Sequence, residues 1–178
     1  MSEAAEINLL VEKCKKNDRR SQLQLYDQYC SAMYHIAARY LPEGAAAQDA
    51  MQDGFIKAFT HIESFNNQAS FGAWLKRIIV NTCLDVLKAK KIDEIPIENV
   101  SLTLIDQDDW QVPDETTYKK VIRAIDELPQ SYKHVVKLYL LEGYDHSEIS
   151  EILMISEVNS RTKLARGKEK LLKLLKEN

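Results

Sequence analysis

An all-α fold, made of two small helical domains joined by an acidic linker, is what the sequence predicts, and three observations predict it. Only five glycines and four prolines punctuate 178 residues, while Ala, Leu, Lys, Glu and Gln dominate, a composition that favours helix over a turn-rich sheet. Apolar residues recur at steps of three and four along both halves of the chain, the spacing of one helix face. Between the halves this periodicity stops and acid replaces it. With 45% hydrophobic residues, the chain can bury one medium core or two small ones.

The first half carries three main helical stretches. A short helix around residues 7–16 precedes them. The first stretch places Tyr26, Tyr29, Met33, Ile36 and Tyr40 at helical steps and ends at Leu41, Pro42, Glu43 and Gly44, where proline and glycine do not continue a helix cheaply. The second, residues 46–62, lines up Met51, Phe55, Phe59 and Ile62, then breaks in the polar loop 63–69. Ser70 is placed as the N-cap of the third stretch, residues 71–89. There Phe71, Trp74, Leu75, Ile78, Ile79 and Val86 share one side, leaving Lys76, Arg77, Asn81 and Lys88 toward solvent or a partner. These stretches form a first domain over residues 1–91.

Residues 92–116 hold Pro96, Pro113 and the acids Asp93, Glu94, Glu98, Asp106, Asp108, Asp109, Asp114 and Glu115, with no Lys or Arg among them. A segment this long and this acidic reads as a linker.

Helical spacing returns over residues 117–178. Val121, Ile122, Ile125 and Leu128 precede Pro129, and Tyr132, Val135, Val136, Tyr139 and Leu140 precede Gly143. Asp145 followed three residues later by Glu148 is a capping-box pattern opening a short helix with Ile149, Ile152 and Leu153. Met154 and Ile155 make a tight turn, and Ser156 is placed as the N-cap of a longer helix. Leu164, Leu171 and Leu175 face inward there, and Arg161, Lys163, Arg166, Lys168, Lys170 and Lys173 lie elsewhere. Short helix, tight turn and basic helix is the helix-turn-helix layout.

That layout has a chemical rationale. A major groove admits one helix, phosphates attract its cations, and side chains near its N-terminus reach base edges. The candidates are Asn159, Ser160, Arg161, Thr162, Lys163 and Arg166, with Arg161 or Arg166 able to address guanine bidentately. The plainer alternative is a solvated amphipathic C-terminal helix. In the first domain, aromatic and basic residues mix in SFGAWLKRIIVNTCLDVLKAKK, a combination suited to single strands by stacking and backbone attraction. Aromatics at helical spacing are more often core, and Phe71 and Trp74 are read as core at least as readily as a stacking platform.

Other function classes lack support. A net charge of −3 argues against a protein that coats nucleic acid by bulk electrostatics, so any such contact is local. Cys14, Cys30 and Cys83 show neither disulfide nor zinc spacing. No phosphate loop, nucleophile motif or metal pattern is found, and His35, His61, His134 and His146 are isolated. No catalysis, metal or cofactor is expected. No apolar run of bilayer length occurs and MSEAAEINLL lacks a secretory pattern, so a cytoplasmic protein is expected, with no insertion into membrane.

Over nearly the whole chain these residues resemble the extracytoplasmic-function (ECF) subfamily of bacterial RNA polymerase sigma factors, part of the sigma-70 family. QDAMQDGFIKAF and FNNQASFGAWLKRIIVNTCLDVLKAKK resemble its region 2, and AIDELPQSYKHVVKLYLLEGYDHSEISEILMISEVNSRTKLARGKEKL resembles its region 4. The resemblance implies a factor directing polymerase to promoters and helping to open them. Asp49, Gln52, Asp53 and Phe55 would lie on the helix that docks on the polymerase clamp. Phe71, Trp74, Lys76, Arg77, Asn81 and Lys88 would face the minus-10 element, with Asn66 and Asn67 near a flipped non-template base. Arg161, Thr162, Lys163 and Arg166 match the family's recognition-helix positions for the minus-35 element. The implied partners are core polymerase, promoter DNA and a membrane-linked anti-sigma factor. The family usually has glycine at Met154, alanine at Ser150 and valine at Ser160, and a larger residue is common at Ala165. A left-handed turn is costly for methionine, so the turn is expected to differ in its geometry. A free-standing helix-turn-helix regulator is the competing reading, distinguished by tight duplex binding without polymerase and by a palindromic site.

Overall fold

The computed structural model describes residues 3–90 and 118–177, and every described element is helical. The chain divides into two compact units. The linker expected at residues 92–116 lies outside the described residues.

The first unit contains α1 (Glu3–Lys15), α2 (Arg19–Tyr40), α3 (Gly44–Thr60), a 3-10 turn (Ile62–Ser64) and α4 (Phe71–Lys90). The Asp18 carboxylate starts α2 by accepting the Ser21 hydroxyl at 2.6 Å and the Arg20 N–H at 3.3 Å; the Ser21 bond chiefly holds that carboxyl below its usual range. Pro42 and Glu43 separate α2 from α3, as the sequence predicts. Ser70 caps α4, its hydroxyl accepting the Ala73 N–H at 3.2 Å. Helices α2, α3 and α4 pack on one another and α1 packs on α2. Leu25, Phe71, Leu75, Ile79 and Val80 are fully enclosed, each such side chain contributing about 1.5–3 kcal/mol by leaving water. The backbones of α3 and α4 come so close that a Cβ on Gly54 would lie 2.3 Å from Ile79 Cδ1. Trp74, Ile78 and Val86, expected inward, are only half-buried at the rim of this core.

The second unit contains α5 (Tyr118–Glu127), α6 (Gln130–Val136), a π-helical turn (Lys137–Leu141), α7 (His146–Leu153) and α8 (Glu157–Glu177). Its core gathers Ile125, Leu128, Val135, Val136, Leu138, Ile149, Leu164 and Leu171. The sequence predicts one continuous helical stretch from Tyr132 to Leu140, but α6 widens into the π turn after Val136, closed by the Glu142 N–H on the Lys137 carbonyl at 3.2 Å. Lys137 is buried there, and its ammonium reaches the half-exposed Asp126 carboxylate at 2.7 Å. A long aliphatic stem lets the chain bury a lysine while its charge finds a partner at the edge. No helix among the described residues is long and apolar enough to cross a membrane.

Candidate nucleic-acid interface

The helix-turn-helix is built from capping chemistry. Asp145 Oδ1 accepts the Glu148 N–H at 2.8 Å, and Glu148 Oε2 accepts the Asp145 N–H at 3.0 Å. This reciprocal box satisfies two backbone donors at the start of α7 and fixes where the helix begins. The end of α7 is set by Met154, which takes the left-handed conformation at φ 55° and ψ 45°. Its own N–H and that of Ile155 both return to the Ser150 carbonyl, so the geometry glycine would supply is reached by methionine. The Met154 side chain makes no compensating burial, being 84% exposed. Ser156 then caps α8, its hydroxyl accepting the Asn159 N–H at 3.1 Å.

Two contacts set the pose of α8. His146 Nδ1 on α7 lies 2.8 Å from Ser160 Oγ on α8, and Ser160 is completely buried. Ser160 is therefore corrected from a candidate DNA contact to a contact between helices, because its hydroxyl is spent inside the domain. One turn further along, the Lys163 ammonium donates to the Ser131 carbonyl at 3.2 Å, and partial burial pushes its pKa down. The His146 ring stacks on Tyr139 at 5.1 Å, and the Lys168 ammonium lies 5.4 Å from the centroid of the same tyrosine ring. These spacings fall within the range of aromatic and cation–π attraction.

What remains outward on the first turns of α8 is Glu157, Val158, Asn159 and Arg161, all exposed, followed by half-exposed Thr162, Ala165 and Arg166. Arg161 Nη2 donates to Glu157 Oε2 at 3.1 Å. The Thr162 hydroxyl donates back to the Val158 carbonyl at 2.9 Å, which occupies its proton within the helix. Sequence reasoning missed Glu157 and Val158. Val158 was legible, since it is an apolar residue off the Leu164, Leu171 and Leu175 face.

In the first unit, Asp49, Gln52 and Asp53 are exposed along one side of α3, at the steps of three and four that share a helix face. Ile56 extends this line and is 63% exposed. Phe55 does not belong to it: it is buried with its ring 4.8 Å from Tyr26, so its candidacy as a docking residue is corrected to core. Phe71 is corrected likewise. It is enclosed by Tyr29, Phe65 and Trp74, with ring centroids 5.4 to 5.7 Å away, and cannot offer a face for stacking. Trp74 is half-buried at the edge of this cluster. Beside it runs the exposed loop 66–70, in which Asn67 takes a left-handed φ of 61° and Asn66 Oδ1 accepts the Gln68 N–H at 3.2 Å. Lys76, Arg77 and Asn81 follow along α4 at intermediate exposure, and Lys88 is exposed, 3.9 Å from Asp85.

No group of three or more His, Cys, Asp or Glu among the described residues could hold a metal ion. Cys14, buried in the first unit, has its thiol pushed up to about 11 by burial, which suppresses the reactive thiolate.

Residues 25–92 match the family model for Sigma-70 region 2, and residues 118–171 match that for Sigma-70 region 4. The chain is 29% identical over 180 residues to the ECF RNA polymerase sigma-E factor of Escherichia coli strain K12, covering 95% of this chain and 94% of that protein. It is likewise 29% identical over 178 residues to the ECF RNA polymerase sigma factor SigW of Bacillus subtilis strain 168, covering 94% and 95%. Among solved structures it resembles CnrH in complex with the cytosolic domain of CnrY, with TM-score 0.59, 21% identity, and 96% and 97% of the two chains covered. It also resembles the sigma factor RpoE of Bartonella quintana, solved with the anti-sigma factor NepR, with TM-score 0.58, 20% identity, and 86% and 95% covered. These last two likenesses concern the fold.

Proposed function

The chain belongs to the sigma-70 family, in its extracytoplasmic-function subfamily, and from that membership we propose that it directs RNA polymerase to specific promoters and stabilises the strand they open. Each unit takes one part of that work. Residues 1–91 hold polymerase and the minus-10 element, residues 117–178 the minus-35 element, and residues 92–116 join them.

In the first unit, the exposed Asp49, Gln52, Asp53 and Ile56 side of α3 is the proposed polymerase face. Trp74, Lys76, Arg77, Asn81 and Lys88, with the Asn66 and Asn67 loop, are the proposed minus-10 face. Extruding a base costs a few kcal/mol of unstacking, and an aromatic edge beside exposed amide side chains is the equipment to offset it. In the second unit, Asn159, Arg161, Thr162 and Arg166 are the proposed minus-35 contacts, while Lys163 and Ser160 hold α8 in position.

One observation carries this reading: the outward N-terminal half of α8 presents Arg161 and Arg166 beside Asn159 and Thr162, behind a capped α7, in a chain whose other half matches region 2. The net charge of −3 fits a subunit that binds DNA poorly alone and relies on polymerase for electrostatic attraction. The chain itself performs no chemistry in this scheme, and it works where polymerase does, in the cytoplasm. The similarly folded sigma factor RpoE of Bartonella quintana, solved with the anti-sigma factor NepR, supports an anti-sigma protein as a further partner.

The test is reconstitution. Mixed with core polymerase, the purified chain should co-elute as a holoenzyme and transcribe from a subset of a randomised promoter library. Failure to associate with core polymerase would defeat the proposal, as would tight duplex binding by the chain alone.

A further inference from the structure

We infer that Val158 is a specificity-determining residue of the minus-35 contact, reading the C5-methyl group of a thymine in the major groove; this rests on the function proposed above. Val158 sits in the first turn of α8, one residue after Glu157, and is 46% exposed. Its surroundings explain why an exposed apolar residue there is informative. The inward side of α8 is made by Ser160, Leu164, Gly167 and Leu171, and Val158 lies off that side, so it contributes nothing to the core. A surface valine also has poorer helix propensity than the alanine or glutamate that would serve a solvated turn.

Val158 is the one apolar side chain exposed on this turn, and two of its polar neighbours are held within the helix. Arg161 is engaged by Glu157 at 3.1 Å, and the Thr162 hydroxyl is turned onto the Val158 carbonyl at 2.9 Å. In the major groove the thymine methyl is the one apolar feature that a base pair presents, and small aliphatic side chains are its partners. A recognition helix that exposes an aliphatic side chain in its first turn, one turn before a guanidinium braced on a carboxylate, is matched to a thymine beside a base bearing acceptors for Arg161.

The experiment uses the reconstituted holoenzyme and the best promoter selected from a library randomised across the minus-35 element. Each thymine of that element, on either strand, is replaced singly by deoxyuridine, which removes only the methyl group. Open-complex formation is then measured for the wild-type chain and for Val158→Ser. The wild type should lose about fourfold at one position, the equivalent of one methyl-sized group leaving an apolar contact. Val158→Ser, which removes both methyl groups at equal helix propensity, should be insensitive at that position and unchanged at the others. The inference is overturned if deoxyuridine is tolerated everywhere, if the selected element has no thymine, or if the serine variant keeps the wild-type sensitivity. Absence of any holoenzyme sinks the parent proposal and this one with it, whereas a working holoenzyme with an unaltered uridine profile sinks this one alone.

Discussion

His146 and Ser160 lie fourteen residues apart, yet the ring Nδ1 of one and the hydroxyl of the other meet at 2.8 Å. The contact ties the first residue of α7 to the inner side of α8. A histidine so placed makes the seating of α8 sensitive to protons. Burial is the main cause that lowers the His146 pKa from its ordinary value of about 6.5, followed by Arg161, with Lys168 acting in the same direction and Asp145 and Glu157 opposing.

A depressed folded-state value means that the unfolded chain binds more protons in the window just below 6.5. Stability from this group is therefore fully present above that pH and is lost as pH falls through the lower folded value. Hydrogen exchange of the α7 and α8 amides should accelerate between pH 7 and pH 5 beyond its intrinsic dependence, and His146→Phe should flatten the response. An equal response in the variant would assign the effect to other groups.

Met154→Gly should stabilise the second unit. The left-handed backbone at φ 55° costs a non-glycine residue roughly 1–2 kcal/mol, and the exposed methionine side chain recovers none of it by burial. The urea midpoint for unfolding of α7 and α8 should rise, and an unchanged or lower midpoint would show that Met154 is not strained.

Gly167→Ala should do the opposite, although alanine is the better helix former by about 1 kcal/mol. Its Cβ would lie 2.5 Å from Val136 Cγ2 and 3.3 Å from Tyr132 Cβ. Val136 is β-branched and cannot swing away, and overpacking costs typically about 1–3 kcal/mol. The same unfolding titration reports the sign.

Ile56→Ser tests the α3 face without touching the core, since Ile56 is 63% exposed. The thermal unfolding of the chain should be unaltered, while its affinity for core polymerase should fall by about tenfold, roughly 1.4 kcal/mol. Unchanged affinity would move the polymerase face away from Asp49, Gln52, Asp53 and Ile56.

How far the sequence alone could carry this is visible in particular residues. The caps were legible because each is a local pattern: Ser70, Ser156 and the Asp145/Glu148 box all form the bonds their spacing implies. The breaks at Pro42 and Pro129 were legible for the same reason. Periodicity failed where a residue's fate depends on a helix far away in sequence. Nothing local says that Ser160 is enclosed, because its partner is His146, or that Lys137 is buried, because its partner is Asp126. Phe55 and Phe71 show the converse: a family motif marks them, and their spacing places them in the core, where packing uses them. The π turn after Val136 left no trace in an apolar run that reads equally well as continuous helix.

The most direct test of the division of labour is a transcription assay in which the minus-10 and minus-35 elements of a selected promoter are scrambled independently. It is run with holoenzyme carrying either the wild-type chain or Arg161→Ala/Arg166→Ala. The wild type should respond to both elements, and the double variant should respond to the minus-10 element alone. A double variant that still distinguishes the intact from the scrambled minus-35 element would contradict the account.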